Sequence, residues 1–318
     1  MKSAGRRIFL GGLMVMMLWV SNCSNKPPLV PRMPGVREAE SMSLRDLAGK
    51  RKDQEDIKPM PPERQEALGD LLLSKKEYET SLASYLQILK EHPDRHDVRY
   101  KVGVALLLSG QYEGARSMLG LVLAAQPNNL DAREALGLTY MQEKQYPKAI
   151  EEFRTVLSQD PGRAKSQHLL GVTHLMAEKP REALRELEKA AQLNPRNAST
   201  YAGLAQANLE LKNYPKALDW ARKGLGVDPE NKRLIQQSGL ALASLKRYDE
   251  AFQAFAKGGD EAQAYNNIGV HYFMDGRYEE AAKCFQKALD LRPTHYHEAK
   301  ANLNKALEKL QEGHKDRD

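Results

Sequence analysis

Cysteine is the scarcest reactive group in this chain: its 318 residues hold two, Cys23 and Cys284. Two thiols build no disulfide framework, and neither has a partner at metal-ligand spacing. Cys284 lies inside VHYFMDGRYEEAAKCFQKAL, where it reads as a small apolar helix residue. Phosphate loops are missing too, since the glycines form neither G-x-G-x-x-G nor G-x-x-x-x-G-K-[ST]. There is no H-E-x-x-H. Of the eight histidines, His295 and His297 are the one close pair, with no cysteine or carboxylate cluster beside them. No serine or cysteine occupies a nucleophile elbow. The expectation is therefore no catalytic residue, no metal, no cofactor, no small-molecule substrate and no enzymatic activity. The net charge of +6 excludes less than its size implies. Lys2, Arg6 and Arg7 fall in residues 1–22 without an acid, and beyond them 45 basic residues face 42 acidic ones. So balanced a chain is not expected to bind nucleic acid.

What the chain does have is periodicity. Gly69, Gly103, Gly137, Gly171, Ala205 and Gly239 stand 34 residues apart, and Gly269 follows after 30. Ser81, Ala115, Ala149, Ala183, Ala217, Ala251 and Ala281 form a second ladder twelve residues behind. A third is Pro93, Pro127, Pro161, Pro195, Pro229 and Pro293. One period shared by three residue types predicts a helix–turn–helix unit repeated along the chain, each burying its apolar face against its neighbours. The small residues let the two helices of a unit approach closely. Asp-Pro, Asn-Pro and Gln-Pro pairs end second helices at four of these positions, because the residue before proline disfavours the helix. Seven units are laid down: 62–95, 96–129, 130–163, 164–197, 198–231, 232–261 and 262–295. Unit six is short, its second helix stopping at Gly258-Gly259-Asp260, and Asp260 with Gln263 reads as an N-cap pair. Residues 296–318 read as a terminal capping helix and a polar tail.

These positions resemble the tetratricopeptide repeat. Unit three has Leu136-Gly137, Tyr140, Tyr146, Ala149, Phe153 and Pro161; unit seven has Tyr265, Ile268-Gly269, Tyr272, Tyr278, Ala281, Phe285, Ala288 and Pro293. The resemblance implies an all-α fold, an α-solenoid of about seven units, and a concave protein-binding groove. Helical phase places Val104, Leu107, Leu138, Met141, Val172, Leu175, Leu209, Leu240, Val270 and Phe273 on the groove side of the first helices, with Leu108, Met176 and Met274 beside them. An apolar row there suits an amphipathic helix or an extended apolar peptide. The Lys and Asn clamp by which some members of the family hold acidic tails is absent: the matching positions are Tyr100, Glu134, His168, Ala202, Gln236 and Asn266.

The N-terminus has a different character. A basic Met1–Arg7 stretch precedes thirteen apolar residues, Ile8 to Val20, too short for the roughly 20 that span a bilayer. The run ends Val20-Ser21-Asn22-Cys23, which resembles a bacterial lipobox, with Asn22 in place of the usual Gly or Ala. The resemblance implies a lipoprotein signal peptide over 1–22 and acylation of Cys23; the alternative is an uncleaved N-terminal anchor. Ser24, where inner-membrane retention uses Asp, implies delivery to the outer membrane with the chain facing the periplasm. Residues 23–61 form a tether in which prolines bracket a charged segment.

Lipobox, tether and repeats together resemble the pilotin-like lipoproteins of type IV and tight-adherence pili in Gram-negative bacteria. That resemblance implies an interaction scaffold for assembling or localising an outer-membrane component, with a secretin or another envelope-assembly protein as partner. Two other readings remain at this stage: an adaptor for peptidoglycan enzymes or polysaccharide export, and a cell-wall hydrolase, which would need converging acids in one cleft.

Overall fold

A computed structural model describes residues 60–292 and 296–315. The signal segment, Cys23, nearly all of the tether, Pro293 and His295 lie outside the described residues. Fifteen helices and no strand occur among those described. They are α1 Pro62–Ser74, α2 Tyr78–Glu91, α3 His96–Leu108, α4 Tyr112–Ala125, α5 Leu130–Gln142, α6 Tyr146–Gln159, α7 Ala164–Met176, α8 Pro180–Leu193, α9 Ala198–Glu210, α10 Tyr214–Val227, α11 Lys232–Ser244, α12 Tyr248–Gly258, α13 Glu261–Met274, α14 Tyr278–Leu291 and α15 His297–Lys315. The all-α fold class expected from the repeats is the one observed, with α15 following the seventh pair.

Contacts divide the chain into two compact units, one running to Thr139 and the other beginning at Tyr140. In the first, α1 packs on α2, α2 on α3 and α3 on α4. In the second, consecutive helices from α6 to α15 pack on one another, and first helices also meet the first helix of the next pair: α7 with α9, α9 with α11, α11 with α13 and α13 with α15.

The ladders do the work expected of small residues. Every member of the Ser/Ala ladder is fully buried. A Cβ built on Gly171 would stand 2.5 Å from Leu187 Cγ, and one on Gly269 2.6 Å from Phe285 Cε1. The opposing positions form a fourth ladder of completely or almost completely buried residues: Tyr85, Leu119, Phe153, Leu187, Ala221, Phe255 and Phe285. Where the fifth pair carries Ala205 instead of glycine, this ladder carries Ala221, and both sit in one core cluster. Glycine against a large side chain and alanine against alanine are two ways of filling one gap.

The turns form a fifth ladder. Lys76, Gly110, Lys144, Glu178, Lys212, Lys246 and Gly276 all have positive φ, between 57° and 79°. Each sits just past a first helix in the same double-bonded turn. After α1, the Glu77 amide donates to the Leu72 carbonyl at 2.9 Å and the Lys76 amide to that of Leu73 at 3.0 Å. The pattern closes all seven first helices, ending with Arg277 to Tyr272 and Gly276 to Phe273. It satisfies carbonyls that a helix end leaves open, and it needs one left-handed residue each time.

Helix α12 is the short one, at 11 residues against 14 for the other second helices. It loses its last turn and keeps Ala251 and Phe255 buried. Asp260 then caps α13, its Oδ1 accepting from the Gln263 amide at 2.9 Å, as the sequence pattern predicts. Cys284 is half-buried on α14 against the core cluster that includes Phe255, and burial holds its thiol pKa above the ordinary value.

Candidate partner-binding face

The first helices carry the residues predicted to meet a partner, and the structure sorts them into two kinds. Val104, Leu107, Leu138 and Met141 are buried in the core, which corrects their placement on an open groove. Val172 and Leu175 are half-buried against the cluster of Leu187 and Leu204. Leu209 and Leu240 pack in the same way against that of Phe255 and Ile268, and Val270 and Phe273 against that of Phe285 and Ala306. The reason is geometrical. A first helix touches its own second helix, the second helix before it and neighbouring first helices, so most of its circumference is enclosed. Apolar periodicity gives the angular position of a side chain but not how many neighbours close over it. On the first helices the exposed large apolar side chains are Met176, 41% exposed, and Met274, 70%, both at a helix C-terminus. Leu86, Leu121, Leu193, Val227 and Leu291 are exposed on second helices and Leu307 on α15. Leu108 is half-buried.

The polar positions are more informative. Of those compared with the acidic-tail clamp, Glu134, His168, Ala202 and Asn266 are buried, and Tyr100 and Gln236 are half-buried. Several are stitches between successive first helices. Thr200 Oγ1 on α9 and His168 Nδ1 on α7 are 3.0 Å apart. Gln237 on α11 donates from Nε2 to the Ala202 carbonyl at 3.0 Å and to Gln206 Oε1 at 3.1 Å, both on α9. Asn302 on α15 donates to Asn266 Oδ1 on α13 at 3.1 Å. In the first compact unit the stitch is ionic: Lys101 Nζ lies 2.6 Å from Asp70 Oδ2 and 2.7 Å from Glu66 Oε1. Tyr85 donates to Asp70 Oδ1 at 2.6 Å, and Arg95 Nη2 lies 2.6 Å from Glu66 Oε2. The partners in the bonds between first helices stand about one repeat apart in sequence, so each of these ties a unit to its neighbour. Tyr85–Asp70 and Arg95–Glu66 instead brace the first unit internally.

Burial governs the protonation of these groups. It pushes the Asp70 carboxyl above its usual range, with Lys101 and Tyr85 pulling the other way. It lowers the His168 imidazole to about 4, and the Arg233 charge adds to the effect. Burial likewise depresses His174 and His271. Glu210, at the end of α9, is raised by burial and held partly in check by a hydrogen bond from Gln206 at 2.9 Å. Titrating groups are thus present, but they serve packing. Among the described residues no group of three His, Cys, Asp or Glu side chains could hold a metal ion. Nor is any described helix long and apolar enough to cross a membrane.

Models of the tetratricopeptide repeat match residues 72–138, 106–173, 168–232 and 262–295. This is a tetratricopeptide-repeat protein. No curated protein sequence matches it. Among solved structures, a tetratricopeptide-repeat protein from Parabacteroides merdae is 16% identical, with a TM-score of 0.56 over 77% of this chain and 98% of that one. The C-terminal part of a repeat protein from Cytophaga hutchinsonii is 18% identical, with a TM-score of 0.58 over 74% and 98%. PilF of Pseudomonas aeruginosa is 23% identical, with a TM-score of 0.51 over 65% and 96%. At these identities the likeness is one of fold. Tetratricopeptide repeats are protein-interaction scaffolds, and that is the role of this fold here.

Proposed function

We propose that this tetratricopeptide-repeat chain is a lipid-anchored scaffold on the periplasmic side of the outer membrane. It assists assembly or localisation of a pilus or secretion-system component, a secretin being the partner of choice. One observation carries the reading: a lipobox-like Val20-Ser21-Asn22-Cys23 joined by a proline-bracketed tether to an array of interaction repeats. Acylation of Cys23 by more than one chain would hold the array at a membrane, since each buried CH₂ contributes about 0.8 kcal/mol. The tether would set its distance from the lipid.

The partner meets the first-helix face where Met176 and Met274 are exposed beside the half-buried Leu175 and Phe273. Flexible thioethers suit a surface that must adapt to an apolar segment. Aspartate at Leu138 would unfold the chain rather than test this surface, because that side chain lies in the core. Met176→Asp combined with Met274→Asp is the sound variant. It is expected to weaken capture of a secretin segment about tenfold, roughly 1.4 kcal/mol, with helical circular dichroism unchanged. Undiminished capture would remove the face from consideration. Cys23→Ser is expected to release the chain from membranes on fractionation, and its retention there would overturn lipid anchoring.

A further inference from the structure

On the second compact unit, α6, α7 and α8 border an open surface depression of about 620 Å³ whose lining includes neither Met176 nor Met274. Its apolar lining includes Leu157, Leu170 and Leu193. Leu170 is buried, whereas Leu193 is exposed and open to contact. Three charged side chains stand over these leucines. Glu186 is committed: its Oε2 accepts from Gln167 Nε2 at 2.5 Å and from Lys189 Nζ at 3.0 Å. Gln167 is itself 5% exposed, so this carboxylate is held from behind by a fixed amide.

Arg154 is different. It lines the depression from α6, is exposed, and makes neither a hydrogen bond nor an ion pair with the described residues. Two cations against one carboxylate leave the site one positive charge in excess. Behind it His174, 4% exposed and with Nδ1 unpartnered, feels both Arg154 and Glu186 and is held neutral by burial. It therefore adds no charge to cancel or double the excess. An open guanidinium beside an apolar floor asks for a ligand with an anionic end and an aliphatic body.

We propose that this depression binds the C-terminal residue of a partner polypeptide ending in an aliphatic side chain. The terminal carboxylate pairs with Arg154, within reach of the Lys189 charge. The aliphatic side chain lies on Leu157, Leu170 and Leu193. This site is separate from the first-helix face and does not depend on which partner that face takes.

The test uses the full chain and a fluorescein-labelled hexapeptide ending in Ala-Leu, offered as the free acid and as the C-terminal amide. Anisotropy titration should show the free acid binding at least tenfold more tightly than the amide. Arg154→Ala should abolish that difference while leaving circular dichroism unchanged, since Arg154 is exposed and unbonded. N-acetyl-leucine should compete and inorganic phosphate should not. Equal binding of acid and amide, absence of binding by both, or displacement by phosphate alone would each overturn the proposal. So would an unchanged acid preference in Arg154→Ala. Secretin capture on the first-helix face is read separately, so one result can fail without the other.

Discussion

The hydroxyl of Ser81 donates to the carbonyl of Gly69 across 2.8 Å, within a helix contact that hides Ser81 completely from solvent. It joins the two small-residue ladders that define each repeat. In every later unit the position of Ser81 is alanine, so close approach does not require the hydrogen bond. What it requires is volume. The neighbouring contact shows this, because the Tyr85 ring fills the space that a Cβ on Gly69 would occupy.

Volume complementarity gives the first prediction. Gly171→Ala places a methyl 2.5 Å from Leu187 Cγ and 3.2 Å from the Leu187 backbone nitrogen. The side chain can turn aside, but the backbone limits how far. A loss of about 1–3 kcal/mol is expected, the usual cost of overpacking. Leu187→Ala alone should cost about 2–5 kcal/mol through the cavity it leaves. The double variant recreates the Ala205–Ala221 arrangement and should lose clearly less than the sum. Urea unfolding of all four proteins measures the coupling; strict additivity would refute the idea that the two ladders compensate each other.

The turn ladder yields a stabilising change. Lys212 has φ of 58°, its side chain is exposed, and it holds no ion pair among the described residues. A side chain in the left-handed region costs about 1–2 kcal/mol, whereas glycine adopts it freely at some expense of unfolded-state entropy. Gly110 and Gly276 already fill the equivalent positions. Lys212→Gly should therefore raise the unfolding free energy by about 0.5–1 kcal/mol, seen as a higher urea midpoint with the slope unchanged. A lowered midpoint would mean that the lysine side chain does more than occupy the turn.

The pH dependence follows from the buried imidazoles. His168 is depressed from 6.5 to about 4, so the folded state binds fewer protons than the unfolded chain in that window. Its contribution is complete above about pH 6.5 and drains away as pH falls towards 4, a total of about 3 kcal/mol. The groups facing it are Thr200 from α9, whose hydroxyl can donate to the neutral ring or accept from it, and the Arg233 charge from α11, which opposes the imidazolium. His174 and His271 act in the same direction. Asp70 and Glu210, raised by burial, act oppositely. His168→Asn isolates the one group: the gap between wild type and variant should shrink by about 3 kcal/mol between pH 7 and pH 4. A gap independent of pH would show that His168 does not titrate as its burial demands.

How much of this was legible beforehand depended on how each position is filled. The Gly, Ala and Pro ladders are readable because one physical demand leaves almost one residue type able to meet it. The ladder from Lys76 to Gly276 escaped notice because lysine, glutamate and glycine share no chemistry, only a backbone conformation. The predicted groove failed at Val104, Leu107, Leu138 and Met141 for another reason. An apolar residue on a first helix looks the same in sequence whether a partner or a neighbouring helix covers it. In sequence His168 and Asn266 show only that the clamp residues are absent, and the burial of both, like that of Gln237, follows from partners about a repeat away that no local pattern announces. The depression containing Arg154 left no signal at all, since its lining is drawn from three helices and a loop.

The stitches between first helices differ from junction to junction. Ammonium meets carboxylate between α1 and α3, imidazole meets hydroxyl between α7 and α9, and amide meets amide between α9 and α11 and again between α13 and α15. Repeats that share their apolar ladders could in principle dock in any order or slip by one unit, because those ladders are interchangeable. The stitches are not. A slip by one unit that set Lys101 against an imidazole or an amide would strand a buried charge. The chain thus carries an address at these junctions, written in polar groups too few to dominate its stability, that tells each repeat which neighbour is its own.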